Sequence, residues 1–345
     1  MTEIAETLTD GRSRSHHLAE LLFRFRELGI VLAILIVVAL TAAVNTNFVS
    51  STSMQQLLSG AAIIALLAIG ETLVIVTRNV DLSVGSVLGI SAYAVGVTFV
   101  SHPHISPALI FLLGAAVGLA CGVVNGAIVT IARVPSLVVT LGTLYVIRGI
   151  DATWGAGNQV NAFDLPEWFN KIGYGTAVGV PYLGIIVVVA VAIATYAMRT
   201  FRSGRDLYAI GSNPEAARLA GIPVARRVFF AFALSGAIAG VAGVLWLSYF
   251  GSVDSNAGSG YEFSVVAAVV VGGVAIFGGS GTVLGAALGA LLINTISSAL
   301  VVVKVSSYWE LALQGALLIG AIAFDRLISV RIAPAISTRR SARVA

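Results

Sequence analysis

The stretch ALIFLLGAAVGLACGVVNGAIVTIA, Ala108 to Ala132, runs for 25 residues without a charge. A bilayer core is roughly 30 Å thick and takes about 20 apolar residues as a helix, so this stretch is long enough to cross it. Within it Gly114, Gly118 and Gly122 recur at every fourth position and fall on one helix face. Helices in lipid associate by close packing and use small residues where their backbones meet, so this face predicts a partner helix.

The rest of the 345-residue chain has the same character: 58% of residues are hydrophobic, only 10% are charged, and the mean hydropathy is +0.97. Soluble domains carry about 25% charged residues, and a water-soluble fold of this length has no means of hiding so much apolar surface. Ten apolar segments are predicted, at 28–46, 54–77, 84–100, 108–132, 136–154, 179–198, 227–250, 262–278, 281–303 and 308–327. The expected fold class is an all-α polytopic membrane protein with about ten transmembrane segments and both termini cytoplasmic. The third and eighth segments are interrupted by glycine, so a broken or re-entrant helix is expected for either, with its backbone covered by protein or water.

Lysine and arginine are retained on the cytoplasmic side, and their positions test this topology. Alternate crossings from a cytoplasmic amino terminus put 17 of the 20 basic residues on one side, including Arg12, Arg14, Arg24, Arg26, Arg78, Arg133 and the Arg199–Arg227 group. Arg148, Lys171 and Lys304 fall elsewhere. The expected organisation is a cytoplasmic amino-terminal arm at 1–27, a transmembrane domain at 28–327 with a cytoplasmic loop at about 199–227, and a cytoplasmic tail at 328–345. The arm is polar and lacks the apolar core and small-residue cleavage site of a removable signal peptide.

Composition also excludes several chemistries. Cys121 is the single cysteine, which rules out an intramolecular disulfide and a cysteine-based metal cluster. None of the four histidines, His16, His17, His102 and His104, lies in a predicted span, so no helix-borne HExxH zinc site exists. The formal net charge of +4 is placed for membrane topology and not for nucleic acid.

The most informative polar stretch is RSGRDLYAIGSNPEAARLAGIPVARR, Arg202 to Arg227. Asn213 suits an N-cap, Pro214 the first helical position and Glu215 the positive end of the helix dipole, while Gly221 and Pro223 stop the helix. That specifies about seven helical residues, well below the 12–15 at which an isolated helix becomes marginal in water. The helix therefore needs a surface, either its own bundle or a cytoplasmic partner.

Glu215-Ala216-Ala217 followed by Gly221 resembles the EAA-type loop of bacterial ABC import permeases, in which a short coupling helix sits in a cleft of the ATPase. The surrounding YAIGSNPEAARLAGI is similar to the version in the ribose, xylose, rhamnose and autoinducer-2 branch. Three more stretches match that branch: TRNVDLSVGSVLG (Thr77–Gly89), RVPSLVVTLGTLYVIRG (Arg133–Gly149) and VVAAVVVGGVAIFGGSGTVLGAALGA (Val265–Ala290). The two terminal arms show no match.

The resemblance implies a permease subunit for a monosaccharide or sugar-like solute in the bacterial inner (plasma) membrane. Its partners would be a second permease copy or related chain, cytoplasmic ABC ATPases and an external solute-binding protein. It also implies that Asn213, Pro214, Glu215, Ala216, Ala217, Arg218, Gly221 and Ile222 couple to the ATPase. No GxxxxGK[ST] is present, since Lys171 and Lys304 are followed by Ile and Val. No catalytic residue, metal or cofactor is therefore expected on this chain, and ATP and Mg belong to the partner ATPase.

Charged and amide side chains inside apolar segments are costly and mark pathway or packing positions. Glu71, Asn125, Thr140, Thr143 and Arg148 are the candidates. Glu71 and Arg148 lie near estimated span ends, where they either pair with polar groups or snorkel. Glu262 and Glu310 are expected to stabilise helix starts near the lipid–water boundary, and Asp81 to cap the helix that follows it. Tyr145, Trp246 and Tyr249 are further pathway candidates; Trp246 and Tyr249, with Trp154, Tyr308 and Trp309, also suit interfacial anchoring. The outer loop from Asp151 to Val180, with Asp164, Glu167, Trp168 and Lys171, is where a binding protein would meet the chain, or where its Trp-Phe pair would lie on lipid. Ser86-Val87-Leu88-Gly89 recurs as Thr282-Val283-Leu284-Gly285, a hint of two related halves.

Two rival classes remain. An ion-gradient-driven secondary transporter would place acids or histidines near the middle of its spans, whereas here the acids fall near predicted ends. A membrane enzyme would need a nucleophile, metal or acid–base cluster, and none is visible.

Overall fold

A computed structural model describes residues 27–306, 308–309, 311–316, 319–320 and 323. In chain order its helices are α1 (Glu27–Val44), α2 (Ser51–Ile75), α3 (Val84–Ser101), α4 (Pro107–Thr130), α5 (Ser136–Gly155), α6 (Glu167–Tyr174), α7 (Tyr182–Thr200), α8 (Arg202–Ser212), α9 (Pro214–Leu219), α10 (Val224–Phe250), α11 (Tyr261–Val271) and α12 (Val283–Val302). Eight of these, namely α1 to α5, α7, α10 and α12, are long and apolar enough to cross a membrane. Among the described residues the sheet structure is limited to a hairpin pairing Thr176–Ala177 with Val180–Pro181. The all-α polytopic expectation holds. The last predicted segment, 308–327, lies partly outside the described residues, as do Glu310, the amino-terminal arm up to Arg26 and the tail from 324.

Local chemistry sets several helix starts. The hydroxyls of Ser50, Ser106 and Thr282 accept from the N–H groups of Ser53, Leu109 and Gly285, and Pro107 occupies the first turn of α4. These caps fix where the long helices enter the bundle.

The centre of the bundle is the contact between α4 and α10. Gly118 packs on the Gly236 carbonyl, Gly122 on that of Phe232, and Gly240 on that of Gly114, so a Cβ at any of the three would overlap backbone. The glycine face read in α4 thus meets a second glycine face, Gly236 and Gly240, that the sequence reading had not singled out. Helix α10 also packs on α2 and α3, which places it at the core, while α5 and α7 stand at the periphery with largely exposed apolar faces.

Two passages through the bundle are not continuous helix. Between α2 and α3 the chain turns at Arg78, whose φ is +68°, and then runs back until the Asp81 N–H reaches the Glu71 carboxylate at 3.0 Å. Helix α3 therefore starts inside the bundle, level with the last turns of α2. After α10, the segment from Val253 to Gly258 runs antiparallel along α3. Val253 pairs with Val160 beside Gly96, Ala257 lies at Gly89, and Gly258 at Gly85. Eleven residues of α3 separate those levels, a descent of about 16 Å in non-helical chain. Helix α11 then completes the crossing in 11 residues, and the turn after it reaches the end of α2, where Gly279 N–H donates to Val76 O at 2.9 Å. The expectation of a broken segment is met for the eighth, where α11 has only 11 residues, and overturned for the third, because α3 is one continuous helix over Val84–Ser101 and the non-helical turn lies before it. The eighth segment, predicted at 262–278, is the short helix α11 followed by turns, and the non-helical descent at 253–258 precedes it.

One end of the molecule collects the basic residues. Arg78 donates to the carbonyls of Gly211 (2.5 Å) and Ser212 (2.7 Å) at the end of α8, and Arg133, Arg218 and Arg226 line one cleft with Asn79. At the far end, α6 tucks onto α10, with Phe169 fully buried and Gly173 against the Ser248 carbonyl. Trp168 and Phe169 both pack on Phe99, Trp168 edge-on and half-buried, Phe169 tilted and fully buried. The reason is visible in α6 itself, whose polar face carries the exposed Glu167–Lys171 ion pair at 2.7 Å and leaves the aromatic face free to turn inward. The Lys171 ammonium holds the Glu167 carboxyl below its ordinary range, first through their hydrogen bond and then through its charge.

The α4–α10 contact predicts that Gly118→Val lowers the thermal midpoint of the purified protein, with an overpacking cost on the order of 1–3 kcal/mol. Gly142→Ala, on an open face of α5, is expected to leave it within experimental error or to raise it slightly.

Candidate functional site

At the basic end, α9 forms as its sequence specifies. The Asn213 carboxamide oxygen accepts from the N–H groups of Glu215 (3.0 Å) and Ala216 (3.1 Å), Pro214 takes the first turn, and Arg218 reaches back to Glu215 at 2.7 Å. The helix ends at Gly221, whose φ of +78° favours glycine, while Ile222 N–H closes on Ala217 O at 3.0 Å. Ala217 is the one buried residue of the six, and Leu219 is 91% exposed.

Helix α8 was not foreseen, because the polarity of Arg202–Arg227 was read as a loop around one short helix. Its signal was present in the spacing of Leu207, Ile210 and Gly211, which face inward. Asp206, 7% exposed, pairs with Arg227 at 2.7 Å and ties α8 to the start of α10. Gly211 sits directly on the Val76 carbonyl and on Gly279, with no room for a side chain. So α8 joins α9 to the α2–α3 turn and to the turn between α11 and α12. Beside α9 lies a cleft of about 820 Å³ between the α4–α5 and α9–α10 turns, lined by Arg133, Arg218, Arg226 and Ser136 among others.

Above this end a polar chain follows the α2–α3 break. Glu71 is fully buried and accepts from Asp81 N–H. Asp81 in turn accepts from the N–H (3.0 Å) and hydroxyl (2.6 Å) of Ser83, so it fixes the residue before α3 and does not cap the helix itself. Asn125 of α4, also fully buried, donates to Ser83 Oγ at 2.8 Å. From α5, Ser136 accepts from Val80 N–H (3.2 Å) and Thr140 donates to Val80 O (3.4 Å). Thr143 bonds one turn back to the Thr140 carbonyl at 3.3 Å. Glu71, Asn125 and Thr140 thus come together, while Thr143 lies alongside.

Arg148 belongs to a second group. Its guanidinium donates to the carbonyl of Ala257 on the descending segment, within electrostatic reach of Glu262 and Asp151. Asp151 is fully buried, with neither carboxylate oxygen bonded among the described residues; Arg148 Nη2, Glu262 Oε2 and Ser91 Oγ are likewise buried and unbonded there. Tyr93 and Trp154 pack edge-on at 5.3 Å.

Three sequence expectations are corrected by these positions. Glu71 and Arg148 do not snorkel, because both bond the backbone of broken segments inside the bundle. Glu262 does stabilise a helix start, accepting from Gly260 N–H at 3.3 Å, yet that start lies in the interior and not at the lipid boundary. Asp151, taken as the beginning of an outer loop, is a buried residue of α5. Among the aromatic candidates, Tyr145 is 73% exposed on α5, Tyr249 donates to Gln56 O at 3.3 Å, and Trp246 is half-buried. Ser86–Gly89 lies within the first turns of α3 and Thr282–Gly285 opens α12, so the two similar stretches both lie at helix starts but in different register.

The bond from Asp81 to Glu71 yields a direct comparison. Glu71→Gln keeps an acceptor and is expected to retain most of the stability, whereas Glu71→Leu leaves a buried N–H unpaired and costs about 1–3 kcal/mol. Thermal unfolding of the two purified variants measures the difference.

Residues 53–322 match the family model described as the permease component of the branched-chain amino acid transport system. Among curated proteins, the chain is similar to the autoinducer 2 import system permease protein LsrC of Enterobacter sp. (strain 638), with 36% identity over 304 residues, 88% of each chain. It is 35% identical to the protein of the same name from Klebsiella pneumoniae, over 88% of this chain and 87% of that one. With the Yersinia pestis (strain Pestoides F) protein it shares 33% over 318 residues, 92% and 90% of the two chains. No solved structure matches it. Together with the helical bundle and its eight membrane-length helices, these matches show that the chain belongs to this family of ABC import permeases, as a multi-pass protein of the bacterial inner membrane.

Proposed function

We propose that the chain is the translocation subunit of an ATP-driven importer for a monosaccharide or sugar-like solute, in the class that includes ribose, xylose, rhamnose and autoinducer 2. The observation that carries this reading is α9, a six-residue helix anchored through Ala217 alone, with Leu219, Glu215 and Arg218 presented outward. So short a helix, with a 91% exposed leucine, suits docking on another protein better than resting on its own bundle. In this reading the basic end is cytoplasmic, and a separate ATPase chain that binds ATP and Mg holds α9 through Asn213–Ile222.

Motion of α9 has a route inward. Helix α8 passes it to the α2–α3 turn through Arg78 and Gly211, and to the α11–α12 turn through Gly279. The α2–α3 turn carries Asp81 and Ser83, which bond Glu71 of α2 and Asn125 of α4, and Val80, which bonds Thr140 of α5; farther along α5, Arg148 bonds the descending segment at Ala257. Switching between outward-open and inward-open states is then a two-state rearrangement in which hydrogen bonds at the breaks exchange partners. A second permease copy or related chain completes the pathway, and an external binding protein delivers the solute at the α6 end. The buried hydroxyl, amide and charged groups of that interior suit a polyhydroxylated solute.

A second reading gains from one finding. Glu71, Asp151 and Glu262 are buried within the bundle, and buried acids are what an ion-coupled secondary transporter uses. Uptake into inverted-orientation-controlled membrane vesicles separates the two. The importer reading expects uptake only with ATP and the partner ATPase, whereas uptake by the purified chain on an ion gradient alone would exclude it. Gly221→Pro and Glu215→Lys are expected to abolish ATPase association and uptake while the protein still inserts normally.

A further inference from the structure

Helix α7 stands away from the core and leaves an apolar groove on each side. The groove toward α10, about 550 Å³, is lined by residues such as Leu66, Ile193 and Phe230 and ends at Arg227, which Asp206 neutralises. The groove toward α12, about 640 Å³, is lined by Ala62, Val188, Ala192 and Leu288 and ends at Thr195 and Arg199. Thr195 and Arg199 also line a separate polar pocket of about 270 Å³, together with Arg205, Tyr208 and the Gly281–Val283 start of α12. Apolar groove and polar pocket are therefore neighbours that share Thr195 and Arg199 as a common wall.

The chemistry of the polar end is anion-binding. Arg199 and Arg205 are exposed, and neither has a carboxylate within ion-pair distance among the described residues. Arg205 is oriented by the carbonyls of Thr200 (2.6 Å) and Arg199 (3.5 Å), and the Tyr208 hydroxyl donates to Gly281 O at 3.0 Å. A carboxylate, Glu27, accepts from Thr282 Oγ at 3.0 Å on the same helix start and offsets part of the positive charge. Along α7 the groove extends from Gly184 to Arg199, about 22 Å of helix rise, which exceeds the roughly 15 Å depth of one leaflet.

We infer that the α7–α12 groove holds an anionic phospholipid of the leaflet facing the basic end, one acyl chain along Ala62, Ala192 and Leu288 and the phosphate at Arg199 and Arg205. Charge separates this groove from its twin across α7, whose arginine is already paired. The bound lipid fills the gap between peripheral α7 and α12 and braces the α7–α8 corner. This inference does not depend on which solute is carried or on how transport is driven.

Native mass spectrometry of the delipidated full-length protein, titrated with phosphatidylglycerol and phosphatidylcholine of identical acyl chains, tests the site. The native chain is expected to prefer phosphatidylglycerol, and the preference to fall roughly fivefold for each charge removed in Arg199→Gln and Arg205→Gln. Arg202→Gln, on α8 but outside the pocket, should leave it unchanged. Ala192→Phe, which fills the groove from an exposed position, should weaken binding of the long-chain lipid. Equal binding of the two lipids, or preference retained in the double arginine variant, overturns the inference. So does glycerol phosphate competing as well as the lipid, which would make the groove irrelevant. Disulfide capture between two Ala192→Cys chains in native membranes would put a second copy in the groove and overturn it too.

Discussion

The approach of α4 to α10 sets the geometry to which most other contacts conform. Gly114, Gly118 and Gly122 on one helix and Gly236 and Gly240 on the other bring backbone to backbone, with carbonyls occupying the space that side chains would need. In lipid no hydrophobic gain favours helix association over exposure to acyl chains, so the stabilisation comes from dispersion over a closely matched surface. Once that pair is fixed, α10 offers its remaining faces to α2, α3 and α6, and the bundle grows around it.

A tightly packed centre makes the two breaks tolerable. Non-helical backbone at membrane depth has unpaired N–H and C=O groups that lipid leaves unsatisfied, so it survives only where protein supplies partners. At the α2–α3 break those partners are Glu71, Ser136 and Thr140; along the descending segment they are Val160, Glu262 and Arg148. The polar residues that cost most to bury are thus located where backbone demands them. That arrangement also suits movement. Hydrogen bonds from side chains to broken backbone can be exchanged with little rebuilding, whereas the α4–α10 contact is close-packed backbone on backbone.

The basic end links this interior to the outside. Helix α8 is amphipathic, anchored by the Asp206–Arg227 pair and by Gly211 wedged on Val76 and Gly279, and it continues directly into α9. The exposed helix is thus joined, through α8, to the end of α2 and to the turn that follows α11.

Sequence alone determined the class of the molecule, because a mean hydropathy of +0.97 leaves lipid as the only solvent for most of its helices. It also determined the α9 helix, whose Asn213 cap, Pro214 start and Gly221 stop are local signals that need no distant partner. The glycine face of α4 was legible as a contact, though its partner on α10 was not. What tertiary structure alone decided was the depth of the charges. Glu71 and Arg148 were placed near span ends, Glu262 at a helix start by the lipid boundary and Asp151 in an outer loop, because depth was counted along the chain. Where the chain doubles back after Arg78 and descends uncoiled from Val253 to Gly258, residue number no longer measures depth, and only the packed bundle fixes which groups are buried and what they bond.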